Sequence, residues 1–432
     1  MSVVGLTFLT SLPAHAMKIQ TVTSPGGIEA WLVEEHSLPL LTMNFAFLGG
    51  AAGEPADKMG VANFMTAMMD EGAGDLKAAE FQEKVEELAM RMSFDAGRDE
   101  YTGAFQTLTK YRDESTELLR LALTKTRFDA DAVERMRKQV LASIAFDAKD
   151  PDRIADDAWY AIAFDGHPYS RPVNGTVETV SSIAPADLES FRTQLFAKDN
   201  LRVSVVGDIT AEELGKLLDT VFGGLPAKTQ IQPIKPVQLP SAPVMKLVEM
   251  DVPQSVAVFG HTGLSRKDPE FIQGFIADYI LGGGGLTSRL MEEVREKRGL
   301  AYSVYSYMQS YDGAAIHLGR VATKTEAIGK SLDVIRAELQ RMANEGPTAE
   351  ELDDAKRYLT GSYALRFDSS SKIASQLLGI QIEDLGIEYI DKRNILIEAV
   401  TIEDVRRVAK RFLDPGNLIV TVVGRKGGIA QN

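Results

Sequence analysis

The chain has 432 residues, 44% hydrophobic and 25% charged, the composition of a soluble globular protein long enough for two or three domains. Its formal net charge of −14 argues against a nucleic-acid or anionic-membrane surface, since both call for a cationic field. Cysteine is absent, which excludes disulfides, thiolate metal sites and cysteine nucleophiles. The five histidines, His15, His36, His167, His261 and His317, are too scattered for a local His-based zinc motif.

Residues 1–17, beginning MSVVGLTFLTSLPAHA, are apolar and end near an A-x-A-like Ala14-His15-Ala16. They read as the remnant of a secretory signal peptide without its basic first region, so a periplasmic location is expected, with a cytoplasmic one as the alternative. No later run approaches ~20 uninterrupted apolar residues, and no membrane span is expected. Alternating Leu41, Met43, Phe45 and Phe47 predict a strand, followed by a Gly/Pro loop and an apolar helix over GVANFMTAMMDEG, 60–72. Phe81, Val85, Leu88 and Met92 make one helical stripe, and Leu118, Leu119, Ala122 and Leu123 lie in another helix. His167, beside Pro168, reads as structural. Prolines 226, 233, 236, 240 and 243 fix φ and favour extended geometry. They mark 226–243 as a flexible linker between a domain at 18–225 and another at 244–432. GGGGLTSR, 282–289, is glycine-rich but lacks the G-K-[ST] order of a phosphate loop.

An internal repeat is the clearest architectural signal. IAPADLESFRTQLFAKDNLRVSVVGD, from Ile183, aligns without a gap to VTIEDVRRVAKRFLDPGNLIVTVVGR, from Val400. Asp187 matches Asp404, Asn200 matches Asn417, and Val203, Val205, Val206 and Gly207 match Val420, Val422, Val423 and Gly424. Each copy predicts an amphipathic helix, a short turn and a β-branched strand. Residues 40–72 and 255–285 repeat a strand, loop and helix in the same way. The fold class is therefore α+β: two duplicated α/β sandwich domains, each a mixed, mainly antiparallel sheet covered by helices, facing each other as a clamshell.

The 60–72 helix raises a chemical question. An inverted zincin carries H-x-x-E-H on a helix, with two histidines on one face to hold zinc and a glutamate as general base. The corresponding five residues here are Asn63-Phe64-Met65-Thr66-Ala67. The spacing survives, but Asn63, Thr66 and Ala67 do not supply the ligands or the base.

This frame, QVLASIAFDAKDP (139–151), HPYSRPVNGT (167–176) and LTSRLMEEVREKRGLAYSVYS (286–306) together resemble the pitrilysin/insulinase family of zinc peptidases, the inverted zincins that are mitochondrial-processing-peptidase-like, over roughly residues 18–428. The resemblance implies the same duplicated fold and places Ser143 where the third, glutamate ligand would stand, so no metal is expected in this chain. It implies that Arg295 and Tyr302 correspond to a pair that holds substrate and stabilises the reacting carbonyl. A guanidinium and a phenol can both donate to such an oxygen. On the residues alone, EEVREK is also a solvated helix end with Gly299 as its stop, and Tyr302 also suits a half-buried packing role. Phe94, Asp95, Ala96 and Gly97 match a strand whose edge pairs with peptide, or form a plain edge strand. Gly283 and Gly284 lie in a loop that contacts substrate or partner in the family, or simply connects helices. The expectation is a non-catalytic subunit of a heterodimeric zinc endopeptidase: no cofactor here, Zn²⁺ in a homologous partner subunit, peptide as substrate. A stand-alone peptide-binding or structural protein of the same fold is the alternative.

Overall fold

A computed structural model describes residues 17–426, so the signal-peptide expectation lies outside the described residues except for Met17. The strands are β1 (Gln20–Thr23), β2 (Glu29–Glu34), β3 (Leu40–Leu48), β4 (Gly72–Ala73), β5 (Leu76–Lys77), β6 (Arg91–Ala96), β7 (Glu100–Leu108), β8 (Leu201–Gly207), β9 (Val244–Glu249), β10 (Gln254–Thr262), β11 (Ala301–Ser310), β12 (Ala315–Lys324) and β13 (Ile419–Gly424). One sheet runs β1-β2-β8-β3-β7-β6 and the other β11-β12-β10-β13-β9. Reading the second backwards, β9-β13-β10-β12-β11 repeats β2-β8-β3-β7-β6. In both sheets one pair is parallel (β2 with β8, β9 with β13) and the rest are antiparallel. The α+β class and the duplication are thus both present in the topology.

Matched residues do matched work. Asp187 accepts from the Ala184 N–H at 2.7 Å and Asp404 from the Thr401 N–H at 3.1 Å, so each aspartate caps the start of its helix, Pro185–Leu195 or Ile402–Phe412. Phe45 on β3 lies opposite Gly103 on β7, and Phe259 on β10 opposite Gly319 on β12. A Cβ on Gly103 would stand 2.1 Å from the Phe45 ring, and one on Gly319 2.2 Å from Phe259. Both sheets leave out a side chain so that a phenyl ring can lie across the strand.

The stripe expected over Phe81–Met92 is corrected. The helix is Ala78–Glu87, with Leu88 closing it, Ala89 at φ 46°, and Met92 already in β6. The left-handed Ala89 turns the chain out of the helix before a fourth apolar step can form.

The two halves are not closed units. Helix Pro151–Ala163 leaves its own half and packs on β10 and β13, where Ala155, Trp159 and Phe164 join Val258, Leu318 and Ile419 in one core. Helix Ser370–Ile382 makes the reciprocal move, placing Ala374, Leu377 and Ile380 on Trp31, Val33 and Val206. The Trp159 indole N–H donates to the Ile419 carbonyl at 3.0 Å, and the Gln381 amide to Val203 at 2.9 Å. The segment 226–243 contains no helix or strand, yet it is laid down on the molecule. The Val237 N–H donates to Gly313 at 2.9 Å, and the His167 Nε2–H donates to the Lys235 carbonyl at 2.9 Å, giving that histidine a structural role.

Candidate functional site

Helix Val61–Thr66 carries the frame that the sequence singled out. Val61, Ala62, Phe64 and Met65 are buried, whereas Asn63, Thr66 and Ala67 share the half-exposed face, as i, i+3 and i+4 positions must. The Glu54 carboxylate accepts from the Gly60 N–H at 2.8 Å and the Ala62 N–H at 2.6 Å, securing the helix start. Burial pushes the Glu54 carboxyl up to about 8, against those two donors, which favour its ionised form.

Helix Ala130–Asp147 lies alongside, its Arg137 guanidinium 5.4 Å from the centre of the Phe64 ring, and carries the exposed Ser143. These residues do not fit zinc. Ala67 has no donor atom, Asn63 and Ser143 offer only neutral oxygens or an amide, and the Thr66 hydroxyl donates to the Asn63 carbonyl at 2.7 Å. Neighbouring acids are engaged elsewhere: Asp70 accepts from Gln82 at 3.0 Å, Glu71 pairs with Arg135, and Asp147 accepts from Asn174 at 3.1 Å.

Arg295 and Tyr302 are seven residues apart in sequence and adjacent in space, the guanidinium carbon 5.1 Å from the phenol ring centre. Arg295 lies on a π-helical turn, Met291–Glu296, and Gly299 at φ 58° turns the chain into β11. Tyr302 is the extra residue of a β-bulge: Ala301 pairs with Thr323 and Ser303 with Ala322, leaving Tyr302 unopposed. The bulge re-aims its side chain, which is 79% exposed. A half-buried packing role is thereby set aside. EEVREK is only partly a solvated helix end: Glu293 is buried and paired with Lys297 and Arg298, while among the described residues Arg295 has only its neighbour Glu296, at 3.3 Å.

Phe94, Asp95, Ala96 and Gly97 lie on or beside β6, an edge of its sheet. The Gly97 N–H donates to Glu100, so the alternation of the antiparallel ladder directs the backbone groups of Phe94 and Ala96 outward. Gly283 and Gly284 follow helix Phe271–Asp278 at a π-helical turn, Tyr279–Gly283, with Gly283 and Gly285 exposed.

One constellation had no signal in the sequence. His261 and His317, on neighbouring strands, are both buried, with the His261 Nε2 3.3 Å from the His317 Nδ1. The His317 Nε2–H donates to Asp278 at 2.8 Å, the Ser306 hydroxyl to the same oxygen at 2.6 Å, and the His261 Nδ1–H to the Thr262 carbonyl at 2.7 Å. A neutral His261, donating through Nδ1, leaves its Nε2 as the acceptor facing His317. Burial first, and then the neighbouring His317, hold His261 down at about 3, so it is neutral.

Comparison with known proteins gives these features their context. Residues 39–177 match the family model for insulinase (peptidase family M16), and residues 182–359 the model for the peptidase M16 inactive domain. The chain is 26% identical over 396 residues to the non-peptidase homolog YmxG of Helicobacter pylori, covering 91% of each. It is 26% identical over 439 residues to a probable mitochondrial-processing peptidase subunit beta of Schizosaccharomyces pombe, covering 97% of this chain and 93% of that one. A solved M16 inactive-domain structure from Pseudomonas fluorescens superposes with a TM-score of 0.90 at 25% identity, over 96% of this chain and all of the other. Among the described residues no helix is long and apolar enough to cross a membrane. With its duplicated sheets, its exchanged helices and a metal frame emptied of ligands, the chain belongs to the insulinase-type peptidase family M16 and is a homologue of that family's inactive, non-peptidase members.

Proposed function

We propose that this chain is the non-catalytic subunit of a heterodimeric zinc endopeptidase, working on peptides beside a homologous subunit that holds the zinc and the general base. One observation carries the reading. Two helices without zinc ligands, at 63, 66 and 67 on one and at 143 on the other, coexist with an exposed Tyr302, re-aimed by a bulge and stacked against Arg295. A chain kept only for its fold has no need to bulge a strand to expose a phenol beside an otherwise weakly paired guanidinium. In the heterodimer a zinc ion held by the partner would supply the activated water. In this chain Arg295 donates to a peptide carbonyl and orients it, and the Tyr302 hydroxyl donates to the carbonyl oxygen as it gains charge. The outward backbone groups of Phe94 and Ala96 offer a template on which an extended peptide adds as a strand. Resemblance to a processing-peptidase subunit supports a partnership of this kind, and the apolar leader supports assembly in the periplasm.

The test is reconstitution with a zinc-bearing M16 relative encoded in the same genome. Alone, the chain should cleave nothing. In the mixture, Tyr302→Phe should lower kcat by about 100-fold, the effect of removing one donor to a developing oxyanion, and Arg295→Ala should lower kcat/KM. Unchanged activity in both variants would establish instead a structural or peptide-binding role, the reading favoured by likeness to a non-peptidase homolog. Chelator-sensitive hydrolysis by the lone chain would overturn both.

A further inference from the structure

A cavity of about 750 Å³ opens in the C-terminal half, between helix Phe271–Asp278, helix Ala349–Gly361 and the exchanged helix Ser370–Ile382. Its walls are aromatic: Phe271, Phe275, Tyr279, Tyr358, Tyr363 and Tyr389. Tyr358 and Leu365 at its rim are 60% and 67% exposed.

Three guanidiniums line the same space: Arg266, Arg366 and Arg393. Arg393 is only 7% exposed. It donates to the Leu359 carbonyl and the Asn394 side chain, both at 3.1 Å, and lies 4.3 Å from the centre of the Tyr363 ring. Arg266 stacks on Phe271 at 4.4 Å and on Tyr389 at 4.9 Å. Among the described residues, none of the three has a carboxylate within ion-pair distance. Two acids line the cavity. Asp278 is engaged by His317 and Ser306, and Glu383 lies within electrostatic range of Arg266 and Lys267. Burial, with the Arg366 and Arg266 charges, pulls the Arg393 guanidinium below its ordinary range, and the nearby phenols oppose this.

A buried cation without a counter-ion is costly, and stacking on an aromatic ring offsets only part of that cost. The fold does not impose the arginines. The exchanged helices start 219 residues apart, so Ser375 and Gln376 occupy the places of Asp156 and Asp157. The related cavity of the other half, about 410 Å³, is lined by Asp147, Asp156, Asp157 and Glu178. That lining also holds Arg98 and Arg153, so its acids have cations beside them, whereas the C-terminal cavity sets three arginines among aromatic rings.

We propose that the cationic cavity binds the free C-terminal carboxylate of a peptide ending in an aromatic or large apolar residue. The carboxylate supplies the counter-charge that the guanidiniums lack, and the ring-lined walls take the terminal side chain. The volume lies in the range of small-ligand pockets and suits two or three residues. An acidic side chain within a peptide would bring the charge without an apolar body to fill the walls. The inference rests on the peptide-binding part of the function proposed above and makes no use of the zinc-bearing partner.

The experiment is calorimetric titration of the purified full chain with the peptide Ala-Ala-Ala-Phe as free acid and as C-terminal amide. The acid should bind about tenfold tighter or more, the effect of one charge-assisted pairing. Arg366→Ala should bring the acid down to the affinity of the amide without moving thermal unfolding, because that side chain is exposed and makes no ion pair. Arg393→Gln should do the same where it folds, and Arg266→Gln provides the second variant where it does not. The preference for acid should survive Arg295→Ala. Equal binding of acid and amide would overturn the proposal, as would a preference that persists in folded Arg366→Ala and Arg266→Gln. Acid-independent binding lost in Arg295→Ala would overturn it while leaving the subunit reading intact. Absence of any binding would overturn it together with peptide recognition by the lone chain.

Discussion

Glu100 lies where the two halves meet, and its charge should contribute to the pH dependence of stability. It opens β7 beside the turn carrying Asp99, which takes a hydrogen bond from each half. The Tyr169 hydroxyl donates to Asp99 at 2.7 Å, and the Asp312 N–H donates to it at 2.8 Å. Burial first, then the charges of Asp99, Asp312, Glu383 and Asp95, push the Glu100 carboxyl from 4.5 up to about 7. At about 1.36 kcal/mol per pH unit, that displacement is worth about 3 kcal/mol. The sign follows from proton binding. Between about pH 4.5 and about pH 7 the folded state holds a proton that the unfolded state has released, so stability falls as pH rises through this window. The penalty is complete above it and absent below it. Glu100→Gln keeps the shape and removes the charge. In urea denaturation of both proteins across this range, the variant should be more stable than wild type by about 3 kcal/mol near pH 8 and equal to it near pH 4. Stability curves that run parallel across the window would refute the reasoning, because they would mean that Glu100 ionises without cost in the folded protein.

Trp159→Ala should cost about 3–5 kcal/mol, since it empties a fully buried site and leaves the Ile419 carbonyl without its donor. Thermal unfolding combined with limited proteolysis around 151–163 reads the loss, and a change below about 1 kcal/mol would show that the exchanged helix is not tied to the far sheet. Restoring the frame with Asn63→His, Thr66→Glu, Ala67→His and Ser143→Glu should let the chain retain equimolar zinc after dialysis, measured by elemental analysis. Failure to retain it would show that helix Ala130–Asp147 stands out of reach of helix Val61–Thr66.

Local chemistry was legible in the sequence because it is local. The repeat from Ile183 and from Val400 announced two copies of one unit, and the matched aspartates proved to be matched helix caps. The family resemblance placed the metal frame at Asn63, Thr66 and Ala67, and side-chain identity then showed that its ligands are gone. The stripe through Met92 was misread because apolar residues continue past the helix end, and only the left-handed Ala89 reveals the break.

What the sequence by itself determined was the α+β unit, its duplication, the emptied metal frame and the spacing of Arg295 from Tyr302. The tertiary structure alone decided that Pro151–Ala163 and Ser370–Ile382 trade places, that a bulge turns Tyr302 outward onto Arg295, and that His261, His317 and Asp278 meet. The same holds for three arginines converging on one cavity with, among the described residues, no carboxylate within ion-pair distance. The physical reason is that periodicity states which face of an element is apolar, whereas the surface that covers that face is chosen by packing between residues far apart in the chain.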